Sequence, residues 1–101
     1  MQYMLLGYDG TDPGALDRRM AAREAHIALG DKLVAEGRML YGTAILDDED
    51  KMIGSMLVLD YPTRDDLDAW LEVEPYVTGD VWREIKIVPA RVGLRYSADE
   101  L

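Results

Sequence analysis

Residues 38–60 read RMLYGTAILDDEDKMIGSMLVLD. Two runs rich in apolar residues, 38–46 and 52–60, flank the acidic stretch Asp47, Asp48, Glu49 and Asp50. Each run has the length of a strand, and the stretch between them is short and polar, so the segment predicts an antiparallel hairpin. Upstream, residues 2–8 (QYMLLGY) predict a strand ending near Asp9, at an Asp-Gly turn. Asp12-Pro13 then predicts a helix start, because Asp caps free N–H groups and proline is tolerated in the first turn. That helix runs to about Glu36, with Gly37 as its C-terminal cap. Downstream, Pro62-Thr63 predicts a second helix capped by Thr63, with Leu67, Trp70 and Leu71 on its apolar face. Residues 74–80 read as a turn or short helix. Residues 81–91 read as a last strand, which Pro89 places at an edge or bulge.

The order is βαββαβ. It predicts a ferredoxin-like α+β fold, a four-stranded antiparallel sheet with two helices on one face. A sheet with one wet face should alternate apolar and polar residues. This one alternates poorly: residues 52–60 put Ile53, Leu57 and Leu59 on one side and Met56 and Val58 on the other. The last strand puts Ile85 and Ile87 on one side and Trp82 and Val88 on the other. Another copy of the sheet is the simplest cover, so the expectation is a homodimer with sheets packed face to face. The domain is expected over residues 1–96, with 97–101 (SADEL) frayed.

A chain of 101 residues suffices for one domain. Twenty acidic residues against eleven basic ones give a net charge of −9. That argues against nucleic acid, which requires a basic footprint, and against anionic membrane surfaces. The absence of cysteine excludes disulfides, thiolate nucleophiles and thiolate-held metals. No apolar run approaches a membrane span, and MQYMLLGYDG reads as a strand rather than a signal peptide, so the expected compartment is the cytoplasm. There is no Gly-rich phosphate or dinucleotide loop. The two serines, Ser55 and Ser97, form no triad pattern, and the acidic run at 47–50 lacks calcium-loop spacing. No metal and no cofactor is expected.

The first helix is the anomaly. At about 100° per residue, Leu16, Met20, Ile27, Gly30 and Val34 share one stripe, with Ala22, Leu29 and Leu33 beside it. Arg19, Arg23 and His26 fall inside this apolar arc rather than among the charged residues opposite. Three such groups facing a core are costly unless they are paired or line a cavity. Two readings follow. Long arginine stems can lie on apolar surface with their heads in water. Alternatively, Arg19, Arg23 and His26 line a pocket at the sheet–helix junction, suited to an anionic or phenolate-like ligand. His26 is the single histidine and the natural proton-transfer group. Asp9, closing the first strand, is placed to orient it. Tyr76 and Trp82 are candidates to wall the pocket.

Arg19-x3-Arg23-x2-His26, Gly37-Arg38-Met39-Leu40-x-Gly42, Gly54-Ser55 and Glu74-Pro75-Tyr76, in this order and spacing, resemble the YciI-like (YCII-related) family over roughly residues 2–94. The resemblance implies a ferredoxin-like fold in a dimeric α/β barrel and a His–Asp site, which fall here on His26 and Asp9. The family's Asp-Pro-aromatic motif is Glu74-Pro75-Tyr76 in this chain, and its Gly-Pro is Gly42-Thr43. One branch of the family resembles dehydrochlorinases. The chemical type implied is cofactor-free, His-assisted proton transfer on a small aromatic or carbonyl-bearing molecule, with Arg19, Arg23, Glu74 and Tyr76 at the substrate. The other function class is a non-catalytic dimeric module that binds a small anion.

Overall fold

A computed structural model describes residues 1–93. The strands are β1 (Gln2–Asp9), β2 (Met39–Leu46), β3 (Met52–Asp60) and β4 (Trp82–Ala90), and the helices are α1 (Ala15–Ala35), α2 (Arg64–Leu71) and α3 (Pro75–Thr78). All neighbours in the sheet are antiparallel, in the order β2-β3-β1-β4. The expected ferredoxin-like α+β fold is therefore what the chain adopts, with the short helix α3 added before β4. The expected domain end at 96 and the tail 97–101 lie outside the described residues.

Local chemistry sets the boundaries. The side chain of Thr63 accepts from the Asp66 N–H at 3.2 Å and caps α2. Gly37 has φ +75°, and the amides of Gly37 and Arg38 donate to the carbonyls of Val34 and Leu33, closing α1 with a left-handed residue. The N-terminal expectation shifts by one step. Asp12 accepts from Gly14 N–H at 3.1 Å, so it builds the turn before α1, and Gly14 rather than Asp12 is the N-cap. Pro89 sits on the edge strand β4, where a residue without an N–H is tolerated.

The core lies between the sheet and the helices. Tyr3 and Leu5 of β1 and Leu57 and Leu59 of β3 pack there with Leu67, Trp70, Tyr61 and Leu33. On the other face, Leu6 is opposite Met56, and Val58 is opposite Met4 and Tyr41. Met4 is also opposite Val88. These residues are half-buried or exposed, so one protomer leaves an apolar sheet face uncovered.

Two expectations about faces are corrected. Trp82 does not lie opposite Ile85 and Ile87. A bulge shifts the β1–β4 register between Tyr8 and Asp9, pairing Asp9 with Trp82 and Tyr8 with Glu84. The extra residue turns Trp82 under the helices. Its indole lies where a Cβ on Gly7 would come within 2.6 Å, an approach that only glycine permits. The second correction concerns α1. Leu16, Met20, Ile27 and Val34 are exposed, and the side that meets the sheet is Arg19, Ala22, His26, Leu29 and Leu33. Arg23, expected within the core-facing arc, is exposed.

Candidate functional site

Arg19 is the most deeply buried cation among the described residues, at 3% exposure. Burying a charge is expensive unless it is paired and hydrogen-bonded. Asp9, closing β1, supplies the pairing: Arg19 Nη1 donates to both its carboxylate oxygens, at 2.9 and 3.2 Å. Nη2 donates to Ser55 Oγ at 3.0 Å, and the same hydroxyl accepts from Trp82 Nε1 at 3.2 Å. The Arg19 Nε–H has no acceptor among the described residues. Burial pushes the Asp9 carboxyl above its ordinary value, and the Arg19 guanidinium pulls it back only in part.

His26 stands two turns further along the same face. Its Nδ1 is hydrogen-bonded to Glu74 Oε1. Glu74 is 1% exposed and also accepts from Tyr76 N–H at 3.1 Å, as the N-cap of α3. Tyr76 is held between the two helix residues. Its ring stacks on the imidazole at 3.8 Å and 9°, and the Arg19 guanidinium lies 4.7 Å from its centroid. Burial raises the Tyr76 phenol, while Arg19 and Arg23 draw it down. Trp82 meets the edges of both rings.

The expected Asp9–His26 pairing is not formed. Asp9 is taken by Arg19, and Glu74, expected at the substrate, is the carboxylate that orients His26. A carboxylate on Nδ1 favours the tautomer with its proton there and leaves Nε2 as the basic nitrogen. No partner is bonded to Nε2 among the described residues.

A cavity of about 330 Å3 opens between α1 and the β2–β3 hairpin. That volume suits a small molecule. Arg19, Arg23, His26, Tyr76 and Ser55 form its polar part, and Ile27, Val34, Met39 and Leu57 an apolar part. The three residues singled out on α1 thus meet in one cavity, together with Tyr76. Asp9 and Glu74 stand behind its wall, each against a lining residue. Arg23 forms no ion pair among the described residues. In the sequence Ser55 stands out only as part of Gly54-Ser55 and as a serine without a triad. Its role in joining Arg19 to Trp82 depends on contacts across 36 and 27 residues. No helix among the described residues is long and apolar enough to cross a membrane.

Fold and site define a ferredoxin-like domain with a histidine and two arginines at one small-molecule-sized cavity. The chain belongs to the YCII-related domain family, whose match covers residues 1–91. Protein YciI of Escherichia coli is 27% identical over 95 residues, covering 88% of this chain and 95% of that protein. A protein of Haemophilus influenzae is 28% identical with the same coverage. Among solved structures, 5-chloro-2-hydroxyhydroquinone dehydrochlorinase (TftG) from Burkholderia phenoliruptrix, in complex with 2,5-dihydroxybenzoquinone, matches with TM-score 0.78 and 24% identity. The match covers 92% of this chain and 96% of that one. The likeness shows that the two share a fold.

Proposed function

We propose that this protein is a cofactor-independent enzyme of lyase or isomerase type, acting on a small anionic molecule with a phenolic or carbonyl oxygen. The observation that supports this most is the His26–Glu74 pair, with its imidazole at the wall of the cavity that Arg19 and Arg23 also line. In this reading Nε2 accepts a proton from substrate carbon. Glu74 stabilises the imidazolium that forms. The electron pair left on the substrate spreads to its oxygen, and Arg23, which lines the cavity and forms no ion pair among the described residues, stabilises that oxygen's charge. Returning the proton at another carbon completes an isomerisation; expelling an anionic leaving group completes an elimination. Arg19 contributes positive potential and its free Nε–H. Asp9 acts through Arg19, as a positioning residue. A dehydrochlorinase on this fold is an example of such chemistry on the scaffold, and the substrate is not carried over from it.

The working unit in this reading is a homodimer. The uncovered apolar sheet face around Met4, Leu6, Met56 and Val58 is the surface a second copy would cover. The second reading, a dimeric module that binds a small anion without catalysis, is favoured by the pairing of both Arg19 Nη groups with Asp9 and Ser55, which resembles a structural network.

The test is solvent exchange. Small phenolic and carbonyl acids incubated with protein in D2O are read by NMR for exchange of carbon-bound hydrogen. The expected result is catalysed exchange in the wild type, reduced about 100-fold or more in His26→Gln with little change in unfolding midpoint. Binding without exchange would favour the module. Exchange that persists in His26→Gln would contradict the proposal.

A further inference from the structure

Gly30 lies inside α1, where the fold has no use for a glycine. Its backbone is not in the left-handed region, which among the described glycines holds only Gly37. A Cβ built on it meets no atom within 4 Å, so close packing does not require it. Glycine inside a helix is less favourable than alanine because it loses more backbone freedom on folding. What the position does have is the cavity beside it. Gly30 lines that cavity between Ile27 and Val34, with Gly42 lining it from β2. Ile27 and Val34 are 41% and 58% exposed, apolar side chains that the protomer's own core leaves uncovered.

We propose that Gly30 determines specificity at this site, its missing side chain leaving room for an apolar arm on the ligand. The arm lies along Ile27, Val34, Met39 and Leu57, while the anionic head sits at Arg23 and His26. Asp31 also lines the cavity, and its carboxylate disfavours a second negative charge at the arm. The ligand class is an amphipathic monoanion, a ring with one carboxylate or phenolate and an uncharged substituent. This inference rests on the anion site of the proposed function.

The probes are benzoate and 4-butylbenzoate, which share a head and differ in the arm, titrated by calorimetry against wild type, Gly30→Leu and Gly30→Ala. Wild type is expected to bind 4-butylbenzoate about tenfold or more tighter than benzoate, as burial of a four-carbon arm allows. Gly30→Leu is expected to erase that preference. Gly30→Ala, which is the safer fold, is expected to cut the preference roughly two- to threefold and to raise the thermal midpoint by roughly 3–6 °C. A preference that survives in both folded variants would overturn the proposal, as would a wild type that binds the two anions equally; both results leave the anion site standing. A wild type that binds neither anion would overturn the proposal together with the site on which it rests.

Discussion

The two long helices on the covered face of the sheet are built by opposite rules. Helix α2 buries Leu67 and Trp70 and turns its charged residues outward. Helix α1 buries Arg19 as well as Leu33, half-buries His26 and leaves Leu16, Met20, Ile27 and Val34 exposed. A helix whose only task is to close a core looks like α2. In α1 the polar groups turned inward are held by residues from other elements: Asp9 from β1, Ser55 from β3 and Glu74 from the entry to α3. Helix α2 only closes the core, whereas α1 adds to its core contacts through Leu29 and Leu33 a polar assembly and a border on the cavity.

The sharpest way to break the comparison is to truncate each helix at its most buried residue. Arg19→Ala leaves Asp9 buried without its partner and is expected to cost about 3–5 kcal/mol in urea unfolding. Leu67→Ala, a cavity mutation in α2, is expected to cost about 2–5 kcal/mol. Met20→Ser, on the exposed apolar side of α1, is expected to change stability by less than about 0.5 kcal/mol. A loss of under about 1 kcal/mol for Arg19→Ala would mean that the inward polar groups of α1 are weakly held, and the contrast with α2 would fail.

The smallest expected effect lies at the start of α1. Arg18 donates to both carboxylate oxygens of Asp12, at 2.8 and 2.7 Å, and holds its carboxyl well below the ordinary value of 3.8. A folded-state value below the unfolded one gives stability that is present above the unfolded value and lost as pH falls. The thermal midpoint should therefore fall as pH drops from about 5 to about 2, and fall less steeply in Asp12→Asn. The pair is exposed, so the difference is a minor part of the acid response. Equal slopes in the two proteins would show that the pair is screened away. Asp9 runs the other way: burial raises its carboxyl, so its ionisation costs the folded state stability as pH rises through the folded value.

The order of elements was legible in the sequence because its signals are local. The acidic hairpin, Thr63 three residues before Asp66 and Gly37 at the end of α1 each act within a few residues. The faces of α1 were not legible. The exposed stripe is the more apolar one, so periodicity assigns it to the core; the face that is buried owes its place to partners in β1, β3 and the entry to α3. The same limit explains the carboxylates. Both Asp9 and Glu74 are candidate residues in the sequence, but which of them meets His26 depends on where β1 ends relative to α3. Trp82 departs from the face that simple alternation gives it because one extra residue at a bulge inverts the strand's alternation.

The most direct measurement is the ring 15N spectrum of the single histidine at high pH, in wild type and Glu74→Gln, with and without benzoate. The expected result is a proton on Nδ1 and a bare Nε2 in the wild type, loss of that tautomer preference in Glu74→Gln, and a shift of the Nε2 signal when benzoate is added. A wild-type imidazole that carries its proton on Nε2, or an Nε2 signal indifferent to benzoate, would contradict a base poised at the cavity.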